Sequence, residues 1–224
     1  MGGQACVFYG AAQFSRDLDI LILADPANLE RLRQALQELA AVSIAVPQLE
    51  ESYLSRGHAA HFRCGREDVP GLRIDVMSRY RGGPDFNDLW MRRTTIEVDG
   101  EPIDLLSLPD LMDAKKTQRD KDWPMIARLI ERNYFEFEGS PSDEQISLWL
   151  REIRAPELLL DVVQAHPRMA AELAPARSAV AAALTGAVDE VSRALADEER
   201  EQRRLDREYW APLKQELEQL RRKH

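Results

Sequence analysis

Three aspartates stand in stretches that otherwise read as β-strands. Asp17 and Asp19 open "DLDILIL" (17–23), and Asp75 lies inside "LRIDVMS" (72–78). Strand side chains alternate between faces, so Asp17 and Asp19 share one face while Leu18 and Ile20 share the other. Adjacent carboxylates repel, and burying them unpaired costs several kcal/mol. Divalent cations remove that repulsion. Magnesium takes oxygen ligands, typically one or two carboxylates together with substrate phosphates. If the Asp75 strand lies beside residues 17–23, three carboxylates converge on one patch. Such a patch suits two-metal phosphoryl or nucleotidyl transfer, in which Asp75 helps to activate an acceptor hydroxyl.

Upstream, Gly2 and Gly3 precede Asp17 by thirteen residues. Glycines at the entry to a helix let backbone N–H groups approach a phosphate closely. Ser15 adds a hydroxyl donor two residues before Asp17.

The pattern of Gly-Gly, thirteen residues, Asp-Leu-Asp and a distal strand-borne Asp resembles the DNA polymerase β-type nucleotidyltransferase superfamily. That resemblance implies that Gly2 and Gly3 hold a triphosphate, that Asp17 and Asp19 bind the metals and that Asp75 completes the metal site. "LPDLMDAKKTQRDKDWPMIARL" also resembles the segment after the core in bacterial nucleotidyltransferase-like proteins, including relatives of abortive-infection toxins. There Lys115, Arg119, Lys121 and Asp122 match a helix-borne lysine followed by an Arg-x-Lys-Asp stretch. Lys115 would reach a phosphate. The resemblance covers roughly residues 2–135. It departs from the superfamily in two places. Relatives carry a strand before the Gly-Gly, whereas only Met1 precedes it here, so either the start lies upstream or this copy has lost the strand. Relatives also often carry an arginine where Gln13 stands.

The elements that must position these residues are legible in outline. A short helix follows Gly-Gly. "DPANLERLRQALQEL" (25–39) is a helix with Asp25 as N-cap, Pro26 at its first position and Leu29, Leu32, Leu36 and Leu39 as its apolar stripe. "SIAV" (43–46), "HAAHFRC" (58–64) and "LRIDVMS" are strands. Asp99-Gly100, between two alternating runs, marks a hairpin over 94–107. Ser107 and Asp110 form a capping box at the head of the next helix, and another helix begins at Trp123. Residues 140–224 contain only helical patterns, with "SPSDEQISLWLREI" and "APELLLDVVQAHP" leading to one long helix from Ser178 to Leu220, kinked at Pro212. The expected fold is α+β: a nucleotidyltransferase-like mixed sheet with flanking helices over 1–138, then a helical domain over 139–224.

Several residues also have a plainer reading. Asp17 and Asp19 fit an exposed strand entry, Lys115 a surface lysine with a buried stem. Arg73 shares a face with Asp75 and would serve as its ion partner. His58 and His61 fall on opposite faces and read as structural, or as groups near Asp75.

Composition narrows the function classes. With 30 basic and 39 acidic residues the net charge is −9, so the chain as a whole is not a basic nucleic-acid binder. Cys6 and Cys64 lack metal-ligand spacing and fit buried, reduced thiols, as in a cytoplasmic protein. No apolar run approaches the ~18 residues of a membrane span. The expected activity is magnesium-dependent transfer of a nucleotide monophosphate from an NTP to an acceptor hydroxyl on a protein, a tRNA or a small molecule. A toxin or defence role would bring an antitoxin. The alternative is an inactive member of the fold that docks onto a helix-pairing partner through its last helix.

Overall fold

A computed structural model describes residues 1–223. In chain order the elements are α1 (Gly2–Phe8), β1 (Asp17–Leu21), α2 (Pro26–Glu38), β2 (Val42–Ser43), α3 (Glu51–Leu54), β3 (Ala60–Arg63), β4 (Arg73–Met77), α4 (Phe86–Met91), β5 (Thr94–Val98), β6 (Glu101–Leu105), α5 (Leu108–Lys115) and α6 (Trp123–Phe137). There follow α7 (Asp143–Glu152), α8 (Pro156–Ala165), α9 (Pro167–Leu173), α10 (Ser178–Ala183) and α11 (Val188–Arg221). The fold is α+β. Among the described residues no helix is long and apolar enough to cross a membrane.

The chain divides into two compact units. One comprises Met1–Ala114 and the chain from Arg207 on, the other Lys115–Asp206. The expected boundary after residue 138 falls inside the second unit. The stretch from Arg207 is counted with the first because the loop after α3 holds it. Buried His58 places Nε2 2.8 Å from Glu216 Oε2, and Arg56 donates to Glu216 Oε1 at 2.6 Å. Gly57, at φ +103°, lies so close to Tyr209 that a Cβ there would meet the hydroxyl at 2.2 Å.

In the first unit a four-stranded mixed sheet has the order β1-β4-β3-β2. β1 runs parallel to β4, while β4–β3 and β3–β2 are antiparallel. One face packs on α2. Leu36 meets Ala60, Phe62, Cys64, Ile74 and Val76, with Leu18, Ile20 and Leu32 packed around them. α2 starts where its sequence dictates, with Asp25 accepting from the Asn28 amide at 2.8 Å and Pro26 in the first turn. β5 and β6 form a separate hairpin, and its Asp99-Gly100 turn has φ of +53° and +84°, as a two-residue type I′ connection needs.

The second unit is helical. Trp123, Ile126, Leu129 and Ile130 of α6, Ile146, Trp149 and Leu150 of α7 and Leu159, Val162 and Val163 of α8 supply its core. α7 carries a full capping box between Ser142 and Gln145. At its far end buried Arg177 donates to the carbonyls of Leu150 and Ile153 at 2.7 and 2.8 Å, groups that a helix end leaves without a partner. The single helix expected from Ser178 is two. Gly186, at φ +80°, ends the first in a left-handed stop, and Thr185 Oγ1 donates back to the Ala182 carbonyl at 2.7 Å. β2 is also shorter than its sequence suggests, two residues rather than four.

The start of α5 is fixed by charge. Asp110 is buried and takes Arg92 in two bonds of 2.5 and 2.6 Å, Ser107 Oγ at 2.6 Å and Tyr80 Oη at 3.3 Å. Burial pushes its carboxyl pKa up, but the bonds from Arg92 and Ser107 and the arginine's charge outweigh that and leave it below the usual range. A carboxyl lowered in the folded state stabilises the fold above its unfolded pKa of ~3.9, and the contribution is lost as pH falls through the folded value. Asp110→Ala should therefore cost about 1–3 kcal/mol at pH 7. The gap to the parent in urea denaturation should narrow below about pH 4; a gap independent of pH would assign the loss to packing alone.

Candidate functional site

The three aspartates lie on the sheet face away from α2, and strand register brings them together. In the parallel β1–β4 pair Asp19 is opposite Asp75 and Asp17 opposite Arg73. In the antiparallel β3–β4 pair His61 is opposite Asp75 and Arg63 opposite Arg73. The face therefore carries two rows across three strands, Asp17–Arg73–Arg63 and Asp19–Asp75–His61. Alternation accounts for both, since Leu18, Ile20, Phe62, Ile74 and Val76 all turn to the α2 side.

Asp75 is the buried member. Arg73 Nε donates to its Oδ1 at 2.8 Å, and His61 Nδ1 lies 2.8 Å from the same oxygen. Burial alone would raise its pKa. The hydrogen bonds from His61 and Arg73, and their charges, leave it below the ordinary carboxylate range. Arg73 is thus the ion partner of Asp75, and His61 stands beside it. His58 does not join them, being held by Glu216.

The Gly-Gly turn lies directly against Asp19. Gly2 has φ +69°, and a Cβ there would fall 1.8 Å from Asp19 Oδ2; one on Gly3 would fall 2.4 Å from Ser15 Oγ. The Gly3 amide donates to Asp19 Oδ2 at 3.4 Å, the Met1 backbone nitrogen donates to the Asp19 carbonyl at 2.9 Å, and Ser15 Oγ donates to the Asp17 carbonyl at 2.9 Å. α1 is anchored for this purpose. Ala5 and Cys6 are fully buried, and Tyr9 Oη sits 2.8 Å from both Thr94 Oγ1 and the Leu106 carbonyl.

Lys115 belongs to the second unit. Its Nζ lies 3.2 Å from Asp122 Oδ1, and Asp122 also accepts from Thr117 Oγ1 at 2.6 Å and Arg119 Nε at 2.7 Å. Three of the four residues of the Lys115–Asp122 sequence pattern thus meet in one ion cluster around buried Asp122.

Among the described residues no group of three or more His, Cys, Asp or Glu side chains is arranged to hold a metal ion. Magnesium commonly uses a smaller donor set, two carboxylates completed by substrate phosphates, and Asp17 and Asp19 are two carboxylates on one face of β1. Their oxygens are hard donors, and the glycine turn leaves the Asp19 carboxylate no Cβ neighbour. A cavity of about 110 Å³ in the first unit is lined by Met1, Ile20, Leu21, Leu89 and Trp90 among others, and by none of the three aspartates. Comparison with family models, with curated proteins and with solved structures returns no match.

The glycine approach yields a direct test. Gly2 and Gly100 share a positive φ, but nothing lies within 4 Å of a Cβ at Gly100. Gly100→Ala should cost about 1–2 kcal/mol from the left-handed backbone alone. Gly2→Ala adds a collision with Asp19, and its loss in urea denaturation should be clearly larger. Equal losses would show that α1 moves away from β1 without penalty.

Proposed function

We propose that the chain is a magnesium-dependent nucleotidyltransferase that moves a nucleotide monophosphate from an NTP to an acceptor hydroxyl. The observation that carries this reading is the in-register placement of Asp17, Asp19 and Asp75 on one face of neighbouring strands, with Gly2 closed against Asp19. Asp17 and Asp19 would hold the cation and with it the triphosphate. When bound, magnesium neutralises phosphate charge and stabilises the oxygens of an in-line displacement.

Gly2, Gly3 and Ser15 would face the triphosphate from the turn. Asp75, fixed by Arg73 and His61, would orient the acceptor and draw its proton. The acceptor oxygen bonds to the α-phosphorus as the bond to the pyrophosphate oxygen breaks. Pyrophosphate leaves with the electron pair, and the acceptor's proton passes to the carboxylate side of the site. Lys115, held by Asp122 in the second unit, is assigned no part in the transfer. The acceptor is a protein, a tRNA or a small molecule.

Calorimetric titration with ATP, CTP, GTP and UTP should give a magnesium-dependent isotherm for at least one of them. Asp17→Asn combined with Asp19→Asn should weaken it by 100-fold or more, about 2.7 kcal/mol. No isotherm with any NTP would overturn the reading, and one that survives in the double variant would remove these residues from the site.

A further inference from the structure

We infer that Arg63 and Arg73 bind a phosphate group of the acceptor beside the carboxylates, an inference that rests on the transfer reading above. Arg63 on β3 is directly opposite Arg73 on β4, on the exposed face of the sheet. Side chains so paired have Cβ atoms roughly 5 Å apart, and like charges placed there destabilise a sheet. Arg73 is compensated by Asp75. The side chain of Arg63 is exposed and enters no ion pair or hydrogen bond among the described residues. A chain with 39 acidic residues is not short of partners for it. An exposed arginine without an ion partner, directly opposite a second arginine that stays partly exposed, is a site for an anion supplied from outside.

The face is polarised along the sheet. β1 contributes Asp17 and Asp19, β4 contributes Arg73 and Asp75, and β3 contributes His61 and Arg63. Two strand spacings separate β1 from β3, roughly 10 Å. A phosphate held at the β3 end would leave the acceptor hydroxyl over Asp75, between the two ends. Guanidinium groups meet phosphate oxygens in paired, planar hydrogen bonds, and the side chain of Arg73 remains 42% exposed while bound to Asp75. The ligand chemistry is a phosphate ester, borne either by a small molecule such as a sugar phosphate or by an RNA strand.

The test uses the full chain without magnesium, at low ionic strength, with two probes: ribose 5-phosphate, and a labelled single-stranded RNA 12-mer read by anisotropy. Arg63→Gln should weaken binding of at least one probe by 5-fold or more, Arg63→Glu by more, and Arg63→Lys should retain part of it. Loss confined to the sugar phosphate identifies a small acceptor, and loss confined to RNA a polynucleotide. In thermal melts without probe Arg63→Gln should be at least as stable as the parent, because a like-charge pair is relieved. Equal probe binding by the parent and Arg63→Gln would overturn the proposal, and so would a Gln variant that melts lower, since Arg63 would then be structural. The NTP isotherm is measured on the same protein preparations with magnesium added. If it is present while the probes ignore Arg63, the acceptor site fails and the transfer reading stands. If it is absent while the probes depend on Arg63, the transfer reading fails, and with it the acceptor role, leaving a phosphate site.

Discussion

Asp19 and Asp75 face each other across two neighbouring strands, with Asp17 on the same side, and the first unit is arranged around the cost of that placement. Two unit charges ~5 Å apart repel by roughly 3 kcal/mol at an effective dielectric constant of ~20. The fold compensates each carboxylate differently. Asp75, the most buried, receives a guanidinium and an imidazole on one oxygen. Among the described residues the Asp19 carboxylate receives one long bond, from the Gly3 amide. Asp75 is thereby set in place, and on the transfer reading Asp17 and Asp19 would be the carboxylates that take a cation. The placement also dictates the neighbours. β3 must pair with β4 so that His61 reaches Asp75. The first residue of α1 must be glycine because Asp19 fills the space a Cβ would occupy. α1 must be tied down, by Tyr9 and by the burial of Ala5 and Cys6, or the turn would not stay there.

The opposite face explains why the carboxylates can be held at all. Leu18, Ile20, Ile74, Val76 and Phe62 bury against α2. A one-residue slip of β1 would send both aspartates into that core and both aliphatics out. Register is therefore fixed by hydrophobic burial, and the charged face inherits its geometry from the apolar one.

Much of this arrangement was legible because strand alternation is local. The pattern in 17–23 and 72–78 places the aspartates on one face, and Asp99-Gly100 marks the hairpin through backbone chemistry that few other pairs satisfy. Adjacency of β1 and β4 was a condition rather than a deduction, since pairing of distant strands leaves no trace in either one. In the sequence His61 reads as structural or as a group near Asp75 and nothing singles out Arg63, because the value of both depends on which strand lies opposite, and that is tertiary information. The grouping of the chain from Arg207 with the first unit had no local signal, because it rests on contacts of Glu216 and Tyr209 with residues about 150 positions away. The break at Gly186 was legible in principle. One glycine in an alanine-rich helical pattern was outweighed by the apolar periodicity on both sides, yet a positive φ decides locally and periodicity does not.

The charge of the whole chain and the charge of the Arg63–Arg73 pair have opposite signs, and distance settles which one a ligand meets. At physiological ionic strength the screening length is ~8 Å. A phosphate over Arg63 is within that distance of Arg73 and His61 and near its limit from Asp17 and Asp19, while most of the −9 is screened. On the transfer reading, the strongest unfavourable term it meets therefore comes from the carboxylates of the site itself. A cation at Asp17 and Asp19 removes that term, so occupancy of the cation site and of the arginine pair favour each other by the same free energy whichever binds first. Linkage of that kind needs no moving part. It follows from placing opposite charges two strand spacings apart on one sheet, close enough to interact and too far apart to cancel.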